Sequence, residues 1–430
     1  MNNTENIKPF YNINIPRDWK IKKFKEILIE NRLGGNYENA EANIGIPVIK
    51  MGNLDRGVIK IDKVQYLPEK EEFNNEDVLK EGDLLFNTRN TLELVGKVAI
   101  WKNELPFAVY NSNLMRMKFD ENLVQSNWFM NYAFNSHYGL KQLRCIATGT
   151  TSVAAIYGRD LETIKFLLPP LPEQKAIAHI LGLMDTAINQ NNQLIAQKEL
   201  RKKWLMQKFF SYKLGIINDK LKTVKLGDVT KVNMGQSPSS ESYNETGEGL
   251  PLIQGNADIK ERKSIVRYWT SQITKTCEEN EIIMTVRAPV GAIGIASTKS
   301  CIGRGVCSIH AEKINHIYLF YWLMNYEDKW KTYEQGSTFT AVSSKDIYNL
   351  SLIIHNSLKE QTAIAQVLQA ADKEIQLLKS KTEKLREQKK GMMQVLLTGK
   401  KRLNYDSSDL YDDHDSNVNY KSDKSQESKK

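Results

Sequence analysis

Cysteine is scarce in this chain of 430 residues, which has four Cys and no CxxC pair. Four cysteines this far apart do not make a disulfide framework, so reduced cysteines are expected. The sequence also lacks any run of about 18 apolar residues, the length that a membrane-spanning helix requires. Residues 1–16 lack the charged and apolar regions of a signal peptide. These absences predict a protein of the cytoplasm with no membrane segment.

Positive charge prevails over most of the chain. The net charge is +9, from 60 Lys and Arg against 51 Asp and Glu. Residues 403–430 contain seven acids and four Lys with few apolar groups, a net charge of −3, so this polar tail is predicted to be disordered. Subtracting the tail from the whole leaves +12 on the remainder. A polyanion is therefore the favoured partner.

The chain contains an internal repeat. Its length exceeds the about 250 to 300 residues at which single cores stop growing, so two or more domains are expected. The stretch LPEQKAIAHIL, which begins at Leu171, returns as LKEQTAIAQVL from Leu358. Asp185 matches Asp372 at the same offset of 187. The sequence therefore predicts two copies of one unit, each closed by the same kind of segment.

A weaker likeness extends upstream of these segments. EGDLLFNTR, which ends at Arg89, matches ENEIIMTVR, which ends at Arg287. GIPVIKMGN, which ends at Asn53, matches GLPLIQGN, which ends at Asn256. The offset between the copies drifts from one segment to the next, as insertions and deletions in diverged copies produce. Each copy therefore includes the residues before its closing segment.

The two closing segments have the pattern of long helices. Apolar residues recur at spacings of four and three from Ile177 to Phe209 and from Ile364 to Leu396. Prolines in PPLPEQ and a capping box from Ser357 mark the helix starts. About 40 residues in each helix correspond to about 60 Å. We expect the helices to face each other as an antiparallel coiled coil, although packing of each stripe against its own domain is an alternative.

The segments between the helices are short, β-prone and separated by Gly, Pro and Asn. The predicted fold class is α+β, a tandem duplication of a β-rich domain followed by a long helix. The predicted divisions are residues 1–168 and 215–356 for the two β-rich domains, 169–214 and 357–402 for the two helices, and 403–430 for the tail.

These motifs together resemble the specificity subunit of a Type I restriction-modification enzyme. The resemblance is carried by PLPEQKAIAHIL with MDTAI, by LKEQTAIAQVL with ADKEI, by the paired TGTTSVAAI and GSTFTAVSSKDI, and by KKGMMQVLLTGKKRL. It implies that each β-rich domain is a target recognition domain that reads one half of a split site in double-stranded DNA. It also implies that the helices set the spacing and dock two methyltransferase subunits, through which motor-endonuclease subunits join. HNSLKEQ lacks the prolines of PPLPEQ, so the second helix is expected to begin differently.

DNA binding requires cations for phosphates and amide or guanidinium groups for base edges. Arg89 and Arg287 recur at equivalent strand ends, and Asn53 and Asn256 recur in equivalent loops. Turn geometry for the asparagines and solvation for the arginines are the plain alternatives. The predicted DNA-binding residues are Lys50, Asn53, Arg56, Arg89, Asn90, Thr150, Thr151, Gln254, Asn256, Lys260, Arg287, Arg304, Ser337 and Thr338.

Both helices carry apolar residues outside the predicted seam, more than one coiled coil can bury. Another protein is expected to cover them. The predicted partner-binding residues are Ile180, Leu194, Trp204, Phe210, Val367, Leu377 and Met393.

An enzyme is the rival interpretation, as a solitary methyltransferase or nuclease. Known adenine methyltransferases carry an N-P-P-Y type motif and a Gly-rich loop for the methyl donor, and neither stands in this sequence. Asp258 with Glu261 and Lys263 offers a weak nuclease candidate, and Cys301, Cys307, His310 and His316 offer a weak zinc candidate of unusual spacing. A coiled-coil scaffold without nucleic acid is a third interpretation. We expect a DNA-recognition subunit with no catalytic residue, cofactor or metal of its own.

Overall fold

The computed structural model describes residues 7–38, 44–68, 71–210, 220–334 and 341–403, with side chains omitted for residues 331–334. The chain divides into two compact units. Unit 1 is Met1–Asn189 with Glu383–Lys430, and unit 2 is Gln190–Thr382. All of the predicted disordered tail except its first residue, Leu403, lies outside the described residues.

Within the described residues, unit 1 contains short strands, three short helices and the first half of a long helix. Helix α1 begins where the Ser126 hydroxyl accepts the backbone N–H of Phe129, and α2 begins where the Ser136 hydroxyl accepts that of Gly139. The helices are α1 (Asn127–Phe134), α2 (His137–Ile146), α3 (Gly158–Leu161) and α4 (Leu171–Phe210). The strands are β1 (Ile7–Phe10), β2 (Ile13–Pro16), β3 (Lys20–Lys23), β4 (Leu28–Leu33), β5 (Pro47–Ile49), β6 (Gln65–Tyr66), β7 (Leu84–Asn87), β8 (Arg89–Asn90), β9 (Val98–Ile100), β10 (Val109–Tyr110), β11 (Leu114–Phe119), β12 (Thr148–Gly149), β13 (Ala154–Ala155) and β14 (Lys165–Leu168).

The described part of unit 2 contains further short strands, three helices and the first part of a second long helix. The helices are α5 (Leu226–Val229), α6 (His316–Glu334), α7 (Ser344–Tyr348) and α8 (Leu358–Leu396), of which α8 continues into unit 1. The strands are β15 (Leu221–Lys225), β16 (Thr230–Met234), β17 (Tyr243–Asn244), β18 (Leu250–Ile253), β19 (Ile259–Lys260), β20 (Lys263–Ser264), β21 (Tyr268–Thr270), β22 (Thr276–Cys277), β23 (Ile282–Thr285), β24 (Ile293–Ile295), β25 (Ser300–Ile302), β26 (Val306–Ala311) and β27 (Ser351–His355).

The sheets of the two units share one strand order. In unit 1 the antiparallel sheet runs β4-β11-β7-β9, and in unit 2 the corresponding strands run β16-β26-β23-β24 before the sheet continues into β20 and β19. A second sheet in each unit contains one parallel pair, β10 with β5 and β18 with β25. The strand before each long helix pairs with an earlier strand, β14 with β3 and β27 with β15. The duplication that the sequence predicted is confirmed by this common order.

The main core of each unit lies between its sheet, its helices and one face of the long helices. In unit 1 it contains Trp19, Phe24, Phe134 and Ile177, all at most 1% exposed. In unit 2 it contains Met284, Tyr318 and Leu368, all fully buried. In each unit, apolar side chains from the strands, the short helices and the start of a long helix pack into one core. Packed strands and helices of this kind are typical of an α+β fold.

The glutamine that recurs at the start of both long helices has the same role in each unit. Gln174 is fully buried, and its Nε2 donates to the carbonyl of Leu123 at 2.8 Å. Gln361 is 1% exposed, and its Nε2 donates to the carbonyl of His355 at 2.8 Å while its Oε1 accepts the N–H of Asn315 at 2.8 Å. Each glutamine therefore fastens the first turn of a long helix to its own domain.

The two long helices run antiparallel within each unit. In unit 1, Lys389 of α8 forms an ion pair with Asp185 of α4 at 2.6 Å, near the end of one helix and the start of the other. In unit 2, Lys379 of α8 pairs with Glu199 of α4 at 2.6 Å. The predicted seam residues are buried or half-buried along both helices. The antiparallel coiled coil is therefore confirmed. No helix among the described residues is both long enough and apolar enough to span a membrane.

Candidate nucleic-acid interface

A small sheet in unit 1 joins two segments that lie far apart in the sequence. Strand β8 pairs with β13, which pairs with β12 in a hairpin. Arg89 lies opposite Ala155 and is exposed, and Asn90 follows it in the same strand. The sheet therefore brings Arg89 and Asn90 beside the hairpin turn that carries Thr150 and Thr151.

The hairpin turn is held by its own hydrogen bonds. The N–H of Thr150 donates to the carbonyl of Val153 at 2.8 Å, and the Thr150 hydroxyl accepts the N–H of Val153 at 3.2 Å. Gly149 has a φ of +134°, and a Cβ there would lie 2.3 Å from the Val153 carbonyl oxygen. Only glycine fits this position. The result is a rigid, exposed turn next to an exposed arginine.

Unit 2 has an arginine in the equivalent place, after strand β23. Arg287 forms a β-bridge with Ala341 and is exposed, just as Arg89 is paired with β13 in unit 1. The predicted turn residues Ser337 and Thr338 lie outside the described residues. The two arginines that the sequence matched therefore occupy equivalent strand ends.

A cleft of about 490 Å³ lies beside Arg287 in unit 2. Gln254 and Asn256 line it and are exposed, as predicted site residues should be. Arg267 and Tyr268 also line it, on the opposite segment of chain. The cleft therefore collects amide, guanidinium and aromatic groups, the chemical groups that read and stack on bases.

Arg304 lies next to this cleft because two glycines flank it. The N–H of Gly303 donates to the carbonyl of Ile253 at 2.8 Å. A Cβ on Gly305 would lie 2.2 Å from the carbonyl oxygen of Gln254. This close backbone approach places the exposed side chain of Arg304 beside Gln254.

Asp258 organises the loop at the floor of the cleft. Its carboxylate is 5% exposed and accepts the N–H groups of Gln254 at 2.7 Å and Gly255 at 3.1 Å. Arg267 pairs with it at 3.4 Å, and the Arg267 guanidinium lies 5.5 Å from the centre of the Tyr268 ring. The sequence prediction missed Arg267 and Tyr268, although an Arg-Tyr pair beside a turn was the available signal.

The surroundings of Asn53 contradict its prediction as a DNA-binding residue. It is 5% exposed; its Oδ1 accepts the N–H of Lys50 at 2.9 Å, and its Nδ2 donates to the carbonyls of Lys60 at 3.0 Å and Lys63 at 2.8 Å. These bonds occupy its amide and hold the loop together, so Asn53 is a turn residue without a free edge for a base. Asn256, its predicted counterpart, is exposed. The buried loop anchor in unit 2 is an aspartate instead.

The other cations predicted in unit 1 have mixed surroundings. Lys50 is half-buried, and its Nζ donates to Gln65 Oε1 at 2.7 Å. Arg56 is also half-buried, and burial, followed by the positive charge of Arg144, lowers the pKa of its guanidinium. The Nη1 atom of Arg56 is buried without a hydrogen-bond partner in the part of the chain that the structure describes. Lys260 in unit 2 is exposed on a hairpin.

The two cysteines considered for zinc binding lie in different sheets. Cys301 is buried in the five-stranded sheet and Cys307 in the six-stranded sheet. His310 Nδ1 lies 3.3 Å from a Glu281 oxygen. Within the described ranges, no three His, Cys, Asp or Glu side chains form a group that could hold a metal ion.

Four of the predicted partner-binding residues are exposed apolar side chains on the helices of unit 2. Leu194 is 37% exposed and Trp204 55% exposed on α4. Val367 is 45% exposed and Leu377 62% exposed on α8. Leu200, which the sequence prediction did not include, is 68% exposed one turn before Trp204. These five residues are called the helix surface below.

The remaining three predicted partner residues are less accessible. Phe210 is 7% exposed in the core of unit 2, with its ring centre 5.2 Å from that of Tyr318. Its assignment to a partner surface is therefore wrong, because the last turn of α4 packs on its own domain. Ile180 and Met393 are half-buried against the core of unit 1.

A three-residue cluster joins each domain to the helix pair. In unit 1, Asp185 of α4 accepts hydrogen bonds from Tyr132 Oη at 2.7 Å and from Lys389 Nζ at 2.6 Å. The Lys389 ammonium lies 5.1 Å from the Tyr132 ring centre. Burial, followed by the Asp185 charge, raises the pKa of Tyr132, so its hydroxyl stays protonated and donates.

Unit 2 has the same cluster with the helices exchanged. Asp372 of α8 accepts hydrogen bonds from Tyr321 Oη at 2.6 Å and from Lys202 Nζ of α4. The Lys202 ammonium lies 5.2 Å from the Tyr321 ring centre. Burial, followed by a hydrogen bond to Asp372, raises the pKa of Tyr321. Each domain is therefore tied to both helices through one partly buried polar contact.

Comparison with protein families gives one matching description for both halves of the chain. The family model is described as the Type I restriction modification DNA specificity domain, and it matches residues 16–199 and 218–387.

Named relatives agree with this match along nearly the whole chain. The MjaX type I restriction enzyme specificity subunit of Methanocaldococcus jannaschii is 33% identical over 419 residues, covering 93% of this chain and 97% of that protein. The MjaVIII specificity subunit of the same organism is 24% identical over 433 residues, covering 93% and 96%.

Solved structures share the fold. The type I restriction-modification S subunit from M. genitalium aligns with a TM-score of 0.59 at 16% identity, covering 90% of this chain and 97% of that chain. A chain from a study of complex assembly and conformational transition of the type I R-M system aligns with a TM-score of 0.60 at 20% identity, covering 91% and 100%.

Proposed function

Because the chain belongs to the family of type I restriction-modification specificity subunits, we propose that each of its two units reads one half of a split DNA site. The chain is a DNA sequence-recognition subunit with two tandem recognition domains. The proposal that each unit reads one half-site is supported by the equivalent positions of Arg89 and Arg287 in the two units. Each is an exposed arginine at the same strand end of the same sheet order, while the neighbouring side chains differ between the units.

The shared and the differing residues receive different roles in this proposal. Arg89 and Arg287 contact phosphates and set the orientation of each domain on the duplex. Further contacts to the DNA backbone come from Lys50, Arg56, Lys260, Thr150, Thr151, Ser337 and Thr338. Base choice in the second half-site rests on Gln254, Asn256 and Arg304, since amides pair with adenine and guanidinium groups with guanine in the major groove. Asn90 has the corresponding role in the first half-site.

The division of labour along the chain follows from these roles. We propose recognition domains at residues 1–168 and 215–356, spacer helices at 169–214 and 357–402, and a polar tail at 403–430. The continuous α4 and α8 each contribute residues to both units, so their length sets the separation of the two half-sites.

The helix surface is the proposed docking site for two methyltransferase subunits. Leu200 and Trp204 lie one turn apart on α4, and Val367 and Leu377 extend the exposed apolar area on α8. Exposed apolar side chains in this number favour a protein partner over water. Motor-endonuclease subunits join through the methyltransferases. Methyl transfer and DNA cleavage then belong to the partner subunits, and the complex acts on DNA in the cytoplasm.

The test is selection from a random DNA library by the chain together with its methyltransferase subunits. The expected product is a two-part motif with a spacer of fixed length. Arg89→Ala or Arg287→Ala should weaken binding about tenfold and lower the slope of log affinity against log salt by about one. Lys373→Ala, an exposed lysine of α8, is the matched control and should leave binding unchanged. A single uninterrupted motif, or methylation or cleavage by the purified chain alone, would overturn the proposal.

A further inference from the structure

A groove in unit 1 has an apolar floor. It encloses about 540 Å³ between α2, β14 and the last turns of α8. Phe129, Phe166 and Leu397 line the floor, and each belongs to the buried core of unit 1. Tyr138 and Met393 are half-buried at its sides. A recess of this size and character suits an apolar side chain from a peptide segment.

The rim of the groove is basic. The described residues that line it include no Asp or Glu. Lys389 is paired with Asp185 and Arg386 with Glu383, whereas the other three rim cations form no ion pair within the described part of the chain. The rim cations are Lys165, Arg386, Lys389, Lys390 and Lys400. An acidic segment with apolar side chains is therefore the complementary ligand.

The chain itself supplies such a segment next to the groove. Lys400 lines the groove, and Leu403 packs against the core beneath it. The following residues read NYDSSDLYDDHD, with five Asp around Leu410 and Tyr411. Leu410 follows Leu403 by seven positions, which allows a reach of up to about 25 Å in an extended chain.

We propose that residues 405–415 bind in this groove of their own chain. Leu410 and Tyr411 occupy the apolar floor, and the aspartates meet the unpaired lysines of the rim. A short tether favours binding within one chain over binding between chains, since the local concentration of the segment is in the millimolar range. The bound segment covers Lys390 and Met393 on α8, so it competes with any protein that uses this face of the helix.

A photo-crosslinking experiment on the full chain tests the proposal. Leu410 is replaced by p-benzoylphenylalanine, the protein is irradiated, and crosslinked peptides are identified by mass spectrometry. Crosslinks should form within one chain to groove residues such as Phe166, Tyr138 or Met393. A mixture of isotopically light and heavy chains separates crosslinks within a chain from crosslinks between chains.

Charge variants supply the matched controls. The double variant Lys390→Glu with Lys400→Glu should lower the crosslink yield about fivefold, because it removes two surface ion pairs between the rim and the bound segment. Lys384→Glu, exposed on the same helix outside the groove, should leave the yield unchanged. The combined substitutions Asp409→Asn, Asp412→Asn and Asp413→Asn should act like the double reversal, because they remove the charges that the rim lysines attract. Crosslinks to a second chain, crosslinks to other surfaces, or a yield insensitive to both sets of variants would overturn the proposal.

Discussion

Asp185 and Asp372 hold equivalent positions in the two units. Each carboxylate lies on one long helix and accepts hydrogen bonds from a lysine of the other helix and from a tyrosine of its own domain. Their separation of 187 residues is the offset of the repeat. A single polar contact of this kind fixes the register of the helix pair and the placement of the domain against it, because a shift of one turn would leave a lysine and a carboxylate unpaired.

The first prediction concerns the cost of breaking this contact. Asp185→Asn should destabilise the chain by about 1 to 3 kcal/mol, since Lys389 would keep its charge in a site where it is only 22% exposed. Urea unfolding of the purified chain gives the value. Glu383→Gln, at an exposed ion pair with Arg386, is the control and should cost under about 0.5 kcal/mol. An equal decrease in the free energy of unfolding for the two variants would show that Asp185 is an ordinary surface charge.

The second prediction contrasts two asparagines that the sequence matched. Asn53→Ala should lower stability by about 1 to 3 kcal/mol, because it leaves two partly buried carbonyls and one N–H without the partner that holds the loop together. Asn256→Ala should change stability by less than about 0.5 kcal/mol and weaken DNA binding instead. Thermal unfolding and DNA titration of both variants are the measurements. A stable Asn53→Ala protein with impaired DNA binding would return Asn53 to the list of base contacts.

The third prediction separates the two half-sites. Gln254→Ala should relax base choice at one position of the second half-site by about 1 to 3 kcal/mol and leave the first half-site unchanged. Asn90→Ala should have the reverse effect. Library selection with both variants measures this. A change in both half-sites from either variant would mean that the side chain acts through the fold rather than through a base.

The regular features of the fold could be predicted from the sequence because they depend on local periodicity. The heptad spacing gave the extent of α4 and α8 and their buried faces, from Ile177 and Ile364 onward. Periodicity does not tell which surface covers an apolar position, and Phe210 shows the consequence. Its spacing lies off the seam, yet the domain of unit 2 buries it.

The conformations of the loops could be predicted only in part, because loop residues pair with residues that lie far away in the sequence. The pairing of Arg89 with Ala155 depends on strand register, which no local pattern encodes. The match of Asn53 with Asn256 failed because one loop closes on an amide and the other on the Asp258 carboxylate. A difference of one residue in loop length exchanges the buried and the exposed positions.

The fourth prediction concerns thiol reactivity. Burial raises the pKa of Cys277 and of Cys307 to about 12, so at pH 8 only about one thiol in ten thousand is ionised at each. Cys301 is also buried, and Cys145 is exposed. A disulfide reagent at pH 8 should therefore label Cys145 first and the others only after unfolding. Rapid labelling of a second cysteine in the folded protein would contradict the burial of Cys277, Cys301 and Cys307.

The last prediction tests whether the helices determine the spacing of the half-sites. The boundaries between the units fall inside both helices, at Asn189 in α4 and at Thr382 in α8. One heptad inserted after each of these residues preserves the phase of the seam and adds about 10 Å of helix. At 3.4 Å per base pair this corresponds to about three base pairs, which also rotate the half-sites by about 100°. We expect weaker binding and a spacer longer by about one to three base pairs, with both half-site sequences retained in a library selection. A heptad in α4 alone is the matched control, because it shifts the helices against each other, breaks the Asp185 and Asp372 contacts and should abolish folding of the pair. Changed half-site bases with an unchanged spacer in the double insertion would show that the helices do not set the distance.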